Sequence, residues 1–150
     1  MRALLQRVTR ASVRVDDNEI AAIDRGLVVL LGIGHGDDAA TAEDLGRRIC
    51  ELRMFEDEHG RTNRSLLDVG GACLLVSQFT LYADTSRGRR PGFTDAAPPE
   101  VARDLWLRVG DGIRAHGVEL QLGQFGADMA VELVNDGPFT IWLDTADRGG

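Results

Sequence analysis

Gly26-Leu27-Val28-Val29-Leu30-Leu31-Gly32-Ile33 is the stretch on which the fold turns. It carries no charged or polar side chain, it is short, and its β-branched residues favour an extended chain, so it predicts a buried strand rather than a helix. Gly32, Gly34 and Gly36 close it. Upstream, Ala3–Val15 alternates loosely and predicts a strand, a break near Thr9-Arg10 and a second strand. Asp16-Asp17-Asn18 then reads as a turn and Glu19–Ile23 as a short strand.

Downstream of the run the period changes. Ala42, Leu45, Ile49 and Leu52 recur at three and four residues, which predicts an amphipathic helix of about four turns, with Asp37 or Asp38 as its N-cap. Met54–Asp68 is polar, contains Gly60 and predicts a loop. Ala72–Leu81 returns to a strand-like run that ends in Ser-Gln-Phe-Thr-Leu, and Thr85–Pro99 shows no period. Pro98-Pro99 suits a helix start, and Ala102, Trp106, Val109 and Ile113 mark the buried face of a second helix ended by His116-Gly117. Val118–Leu122, Met129–Leu133 and Phe139–Leu143 each alternate with a period of two and predict three half-buried strands. Asn135-Asp136-Gly137-Pro138, between the last two, has the composition of a hairpin turn. Strands grouped at both ends, with helices not alternating regularly among them, predict the mixed α+β form of an α/β protein: a curled, mixed or antiparallel sheet with two flanking helices.

The chain has 150 residues, enough for one domain, here placed at residues 1–145 with a frayed tail at 146–150. A chain of this size buries about two thirds of its unfolded surface, and 43% hydrophobic residues supply a core without metal or disulfide staples. Cys50 and Cys73 lie in apolar patterns with no Cys or His at ligand spacing, and read as reduced core residues. No apolar run reaches eighteen residues, so the expectation is a soluble, cytoplasmic protein with no membrane contact. A net charge of -7 argues against a general nucleic-acid binder. The local exception is Arg87-Gly88-Arg89-Arg90, which on charge alone reads as a solvated loop.

A protein-based catalyst is hard to find. His35, His59 and His116 stand apart from one another and from cysteine, which predicts no metal site; His35 reads as an exposed loop residue. Gly32-Ile33-Gly34-His35-Gly36 lacks the spacing and the Lys of a phosphate loop. The pairs Asp16-Asp17, Asp37-Asp38 and Asp57-Glu58 sit in turns and at a cap, without an apolar frame to raise one pKa for acid–base work. Ser77 and Thr80 end a strand outside any nucleophile elbow.

Two segments, Ser77-Gln78-Phe79-Thr80-Leu81 and Asn135-Asp136-Gly137-Pro138-Phe139-Thr140, resemble the paired signature motifs of the D-aminoacyl-tRNA deacylase family. Leu5-Gln6-Arg7-Val8, Gly88-Arg89-Arg90-Pro91, Asp95–Glu100 and Phe125-Gly126-Ala127-Asp128-Met129 agree with it, so the resemblance runs from Met1 to about Asp144. Gly92 departs from the serine found in many relatives. The resemblance implies a largely antiparallel, barrel-like sheet and hydrolysis of the ester between a D-amino acid and the 3′-terminal adenosine of tRNA. It implies no cofactor and no metal. It also implies a homodimer in which Gly137 and Pro138 of one subunit, joined by a cis peptide, enter the active site of the other as a chiral gate. Their carbonyls would exclude an L side chain sterically and electrostatically while tolerating any D side chain, and achiral glycine mischarged on tRNA(Ala) would pass.

Further site residues follow from the same resemblance. Arg7 would hydrogen-bond the gate across the subunit interface, with Asn135 as a second support. Ser77, Gln78, Phe79 and Thr80 would form the catalytic strand, the N–H groups of Phe79 and Thr80 facing the oxyanion. Arg87, Arg89 and Arg90, with Phe93 as a stacking platform, would meet the tRNA. The family is thought to lean on the 2′-hydroxyl of the terminal ribose to activate water, which agrees with the missing protein acid and base. Thr80 is then a positioning residue, and its rival role is covalent nucleophile. A non-catalytic nucleic-acid-binding dimer is the alternative from another class.

Overall fold

The structure is a computed structural model that describes residues 1–147. The apolar run forms β3 (Gly26–Gly32), flanked by β1 (Arg2–Val15) antiparallel and β6 (Ala72–Ser77) parallel. β2 (Asn18–Ile23) pairs antiparallel with the second half of β1, and beyond β6 lies β7 (Glu119–Leu122), parallel to it. β8 (Ala130–Asp144) runs antiparallel to β1 and pairs with no other strand among the described residues. The sheet is therefore mixed and curls into a nearly closed barrel, with β2 coming back against β6 and β7.

β3 is apolar throughout because both of its faces are covered. Leu27, Val29 and Leu31 point to a core shared with α1 (Ala39–Glu51) and α3 (Pro99–Ala115), where they meet Leu45, Ile49, Leu75, Val109 and Ile113. Val28 points the other way, into a second core with Val8, Val13, Ile23, Leu74 and Val76 inside the curl. Gly26 is required where β3 and β6 begin: a Cβ there would lie 1.8 Å from the Ala72 carbonyl oxygen. Asp38 caps α1, its side chain accepting from the Thr41 N–H at 2.9 Å, and this bond holds its carboxyl below the usual range. Cys50 and Cys73 are buried free thiols, and burial pushes the Cys50 pKa up to about 11.

Several elements differ from expectation. β1 is unbroken at Thr9-Arg10: these exposed residues mark where its partner changes from β3 to β2, and the irregularity lies instead in its register with β8. Met54–Asp68 is not loop but a hairpin, β4 (Arg53–Glu56) and β5 (Thr62–Ser65), followed by the short helix α2 (Leu66–Val69). Its strands are too short and too polar to show a period, with Met54 and Phe55 the buried pair. The Ser65/Asp68 capping box starts α2, a third helix beside the two expected. The strand expected to reach Leu81 stops at Ser77, and Phe79–Tyr82 coils into a 3-10 turn.

The two strands expected on either side of Asn135–Pro138 are one, β8, and no hairpin turn separates them. Gln6 pairs with Thr140 and Val8 with Asn135, so Arg7 faces the four residues 136–139, which arch out of the ladder; a second, smaller shift follows at Thr9. A turn-like composition here makes a bulge, because β1 continues to supply partners on both sides of it. In the tail, Thr145–Asp147 makes a 3-10 turn with the Ala146 N–H bonded to Asp144 Oδ1 at 3.0 Å; residues 148–150 of the tail expected to fray lie outside the described residues.

Leu75 of β6 is fully buried between sheet and helices. Leu75→Ala is expected to lower the free energy of unfolding by about 3 kcal/mol through lost transfer energy and a residual cavity, read from the shift of the urea midpoint at constant slope.

Candidate active site

A cavity of about 820 Å³ opens where β3 and β6 end. Ser77, Gln78 and Phe79 form one wall, Phe93, Thr94 and Ala96–Pro99 a second, and Trp106 with Phe125–Met129 a third. Phe79 and Phe93 meet edge to face at 5.1 Å across the mouth, and Trp106 lies against Phe125 at 5.7 Å. The interior is mainly apolar and aromatic, which suits a flat heterocycle. Only His35 and Asp128 among the lining residues can titrate. His35 is engaged with the Thr94 carbonyl oxygen at 2.7 Å from Nε2, which ties the 93–98 loop to the end of β3 together with the Ala97 N–H to Ile33 carbonyl bond at 2.9 Å.

The 3-10 turn follows directly from the strand end. The Gln78 N–H makes the last bond to β3, reaching the Leu31 carbonyl oxygen at 2.8 Å, and the chain then turns. Phe79 and Thr80 are the first two residues of that turn, so their N–H groups have no acceptor within it. Both residues are exposed at the cavity mouth side, Phe79 to 57%. The Gln78 side chain donates from Nε2 to Thr80 Oγ1, fixing the hydroxyl beside its own backbone. Behind the turn Tyr82 packs against Gly34, and burial, with Asp37 and Asp144 nearby, raises its phenol pKa well above the ordinary value. Tyr82 is thus a neutral structural ring.

Arg7 is 7% exposed and sits beneath the arch in β8. It donates from Nε to the Asp136 carbonyl oxygen at 2.9 Å and from Nη1 to the Met54 carbonyl oxygen at 2.7 Å, and its guanidinium lies 4.5 Å from the centre of the Phe139 ring. Within the chain β1 and β8 are neighbours, so Arg7 faces the arch and bonds it at Asp136. Asn135 closes the arch at its base, Oδ1 accepting from the Phe139 N–H at 2.6 Å and Nδ2 donating to Thr140 Oγ1 at 3.0 Å. The Gly137–Pro138 peptide bond is cis, and Gly137 has φ 145, a value that favours glycine. Gly137 and Pro138 are exposed.

The structure brings Ser77, Gln78, Phe79 and Phe93 together at the cavity, with Thr80 joined to them through Gln78. Gly137, Pro138, Arg7 and Asn135 form a second group that does not line the same chain's cavity. Arg87, Arg89 and Arg90 lie on the exposed loop between Asp84 and Gly92, which an antiparallel bridge closes at its base. Sequence reasoning missed His35, Trp106 and the Phe125–Met129 wall as lining. Phe125–Met129 had drawn attention only as a matching segment, and its lack of period, between two alternating runs, was the available sign of a site loop. Among the described residues no group of three or more His, Cys, Asp or Glu is placed to hold a metal ion.

The family model described as D-Tyr-tRNA(Tyr) deacylase matches residues 4–144. The chain belongs to that family. A D-aminoacyl-tRNA deacylase of Thermomicrobium roseum is 58% identical over 151 residues, covering 100% of this chain and 98% of its own. One from Paracoccus denitrificans is 53% identical over 148 residues, covering 99% of each. A solved structure described as c-Myc DNA Unwinding Element Binding Protein superimposes with a TM-score of 0.90 at 42% identity, over 97% of this chain and 99% of that one. A probable eukaryotic D-amino acid tRNA deacylase shares the fold, with a TM-score of 0.80 at 18% identity, over 95% of this chain and 97% of that one. Membership makes this chain a hydrolase, a D-aminoacyl-tRNA deacylase.

Proposed function

We propose that the cavity receives the 3′-terminal adenosine of a D-aminoacyl-tRNA and that the Phe79–Tyr82 turn presents the N–H groups of Phe79 and Thr80 to the ester carbonyl. The observation that carries this reading is the turn itself: two exposed residues with N–H groups unused by the turn, at the edge of a mainly apolar cavity. Such donors stabilise the negative charge that develops when water attacks an ester. An aminoacyl ester is already activated, so positioning and oxyanion stabilisation supply much of the barrier lowering, and the 2′-hydroxyl of the terminal ribose handles the proton. Thr80 then positions rather than attacks, which fits its hydroxyl being held by Gln78.

The handedness of the substrate is read by Gly137 and Pro138 of a second subunit. Their arch is exposed, stands off the ladder and is held by Arg7 and Asn135, yet it does not line its own chain's cavity. A pair of backbone carbonyls on such an arch clashes with an L side chain and leaves room for hydrogen, so D-aminoacyl and glycyl esters, including glycine mischarged on tRNA(Ala), are cleaved. The homodimer this requires is supported by β8, whose outer edge is unpaired among the described residues and which exposes Val131, Val134 and Trp142. Arg87, Arg89 and Arg90 steer the acceptor end of the tRNA, and Phe93 stacks on a base. Substrate of this kind places the protein in the cytoplasm.

With D-tyrosyl-tRNA in large excess, many turnovers per enzyme are expected, and none with L-tyrosyl-tRNA; stoichiometric binding without turnover would instead mark a nucleic-acid-binding protein. Thr80→Ala is expected to keep activity within about tenfold, whereas substrate ending in 2′-deoxyadenosine should lose about a hundredfold or more. A dead Thr80→Ala enzyme alongside an active deoxy substrate, or a trapped acyl-threonine, refutes RNA-assisted catalysis. Light scattering should show a dimer that Trp142→Asp converts to inactive monomer; a fully active monomer sinks the shared-site reading.

A further inference from the structure

The Phe79–Tyr82 turn is gripped from the side opposite its exposed residues by Arg2, the first residue of β1. Arg2 donates from Nη1 to the Leu81 carbonyl oxygen at 3.0 Å and from Nε to Asp144 Oδ2 at 3.2 Å. Its guanidinium carbon also lies 4.4 Å from the centre of the Tyr82 ring. The backbone aims this fork, because Arg2 and Asp144 are direct partners in the β1–β8 register. Leu81 is thereby held on both sides of its residue: its N–H reaches the Gln78 carbonyl oxygen at 3.2 Å, and its carbonyl takes the Arg2 guanidinium.

Gln78 is itself anchored to β3 through its N–H. Phe79 and Thr80 therefore lie on a segment fixed at both ends, at Gln78 by the sheet and at Leu81 by Arg2. Lysine cannot replace this fork, because a single ammonium cannot bond a carbonyl and a carboxylate on divergent lines while stacking flat on an aromatic ring.

We propose that Arg2, held by Asp144, is a positioning residue for ester hydrolysis: it sets the orientation of the Phe79 and Thr80 N–H groups by fixing the carbonyl of Leu81. It acts through the Leu81 carbonyl rather than by contact with the ester. The inference rests on the proposed reading that those N–H groups face the ester carbonyl. Misplacing donors by a fraction of an ångström weakens their grip on the transition state more than on the bound substrate, so the loss falls on kcat.

The test is steady-state hydrolysis of D-tyrosyl-tRNA by wild type, Arg2→Ala, Arg2→Lys, Asp144→Asn and the double variant Arg2→Ala/Asp144→Asn, with folding of each checked by circular dichroism. Asp144→Asn keeps the Oδ1 acceptor used by the Ala146 N–H, and so probes the grip if Arg2→Ala fails to fold. The expected result is a fall in kcat of about tenfold for Arg2→Ala, less for Asp144→Asn, with KM within about twofold. The double variant should be no worse than Arg2→Ala alone, and Arg2→Lys should recover only part of the loss. Folded Arg2 variants with wild-type kcat, a change confined to KM, or losses that multiply in the double variant overturn the inference while leaving the proposed function standing. An inactive wild type overturns both.

Discussion

The ladder between β1 and β8 is the constraint on which the site depends. Fourteen residues of β1 run without a break beside fifteen of β8, and the mismatch in their pairing is concentrated opposite Arg7. Because the ladder resumes on both sides of that point, the surplus residues 136–139 must leave the sheet as an arch. The same register brings Arg2 opposite Asp144 at one end. One strand pair thus shapes the exposed arch and grips the turn beside the cavity.

The buried Arg7 expresses the ladder chemically. Arg7 joins the arch to the β4–β5 hairpin through the Asp136 and Met54 carbonyls, so the hairpin braces the arch although it lies outside the main sheet. A guanidinium this buried needs its donors satisfied, and backbone carbonyls plus the face of Phe139 do so. The cavity is organised on different lines. It opens at the ends of the parallel strands β3 and β6, where the ladder stops and the chain turns sharply, and aromatic side chains from four separate segments close over it. Its titratable lining residues are His35 and Asp128, and His35 is engaged with the Thr94 carbonyl oxygen.

Long periodic segments were legible from residues alone. The β3 run, the Ala42–Ile49 stripe of α1 and the Ala102–Ile113 stripe of α3 each carry their burial pattern in their spacing, because one covered face or two covered faces leave a direct imprint on residue choice. The motif pair Ser77–Leu81 and Asn135–Thr140 was legible through family resemblance, and the family match over residues 4–144 supports that recognition. Short or irregular elements were not. The β4–β5 hairpin offers only Met54 and Phe55 as buried apolar residues, and the Phe79–Tyr82 turn continues an apolar composition that gives no sign of where the strand ends.

By itself the sequence determined which segments are buried, that a curled sheet is flanked by helices, and which family the chain joins, since all three are written in local pattern. The tertiary structure alone decided that Asn135–Pro138 is an arch within one strand rather than a turn between two, that Arg7 reaches it inside the same chain, and that Arg2 holds the Phe79–Tyr82 turn. The reason is physical. Each of these depends on which strand lies alongside and in what register, and pairing between residues more than a hundred positions apart leaves no period in either segment.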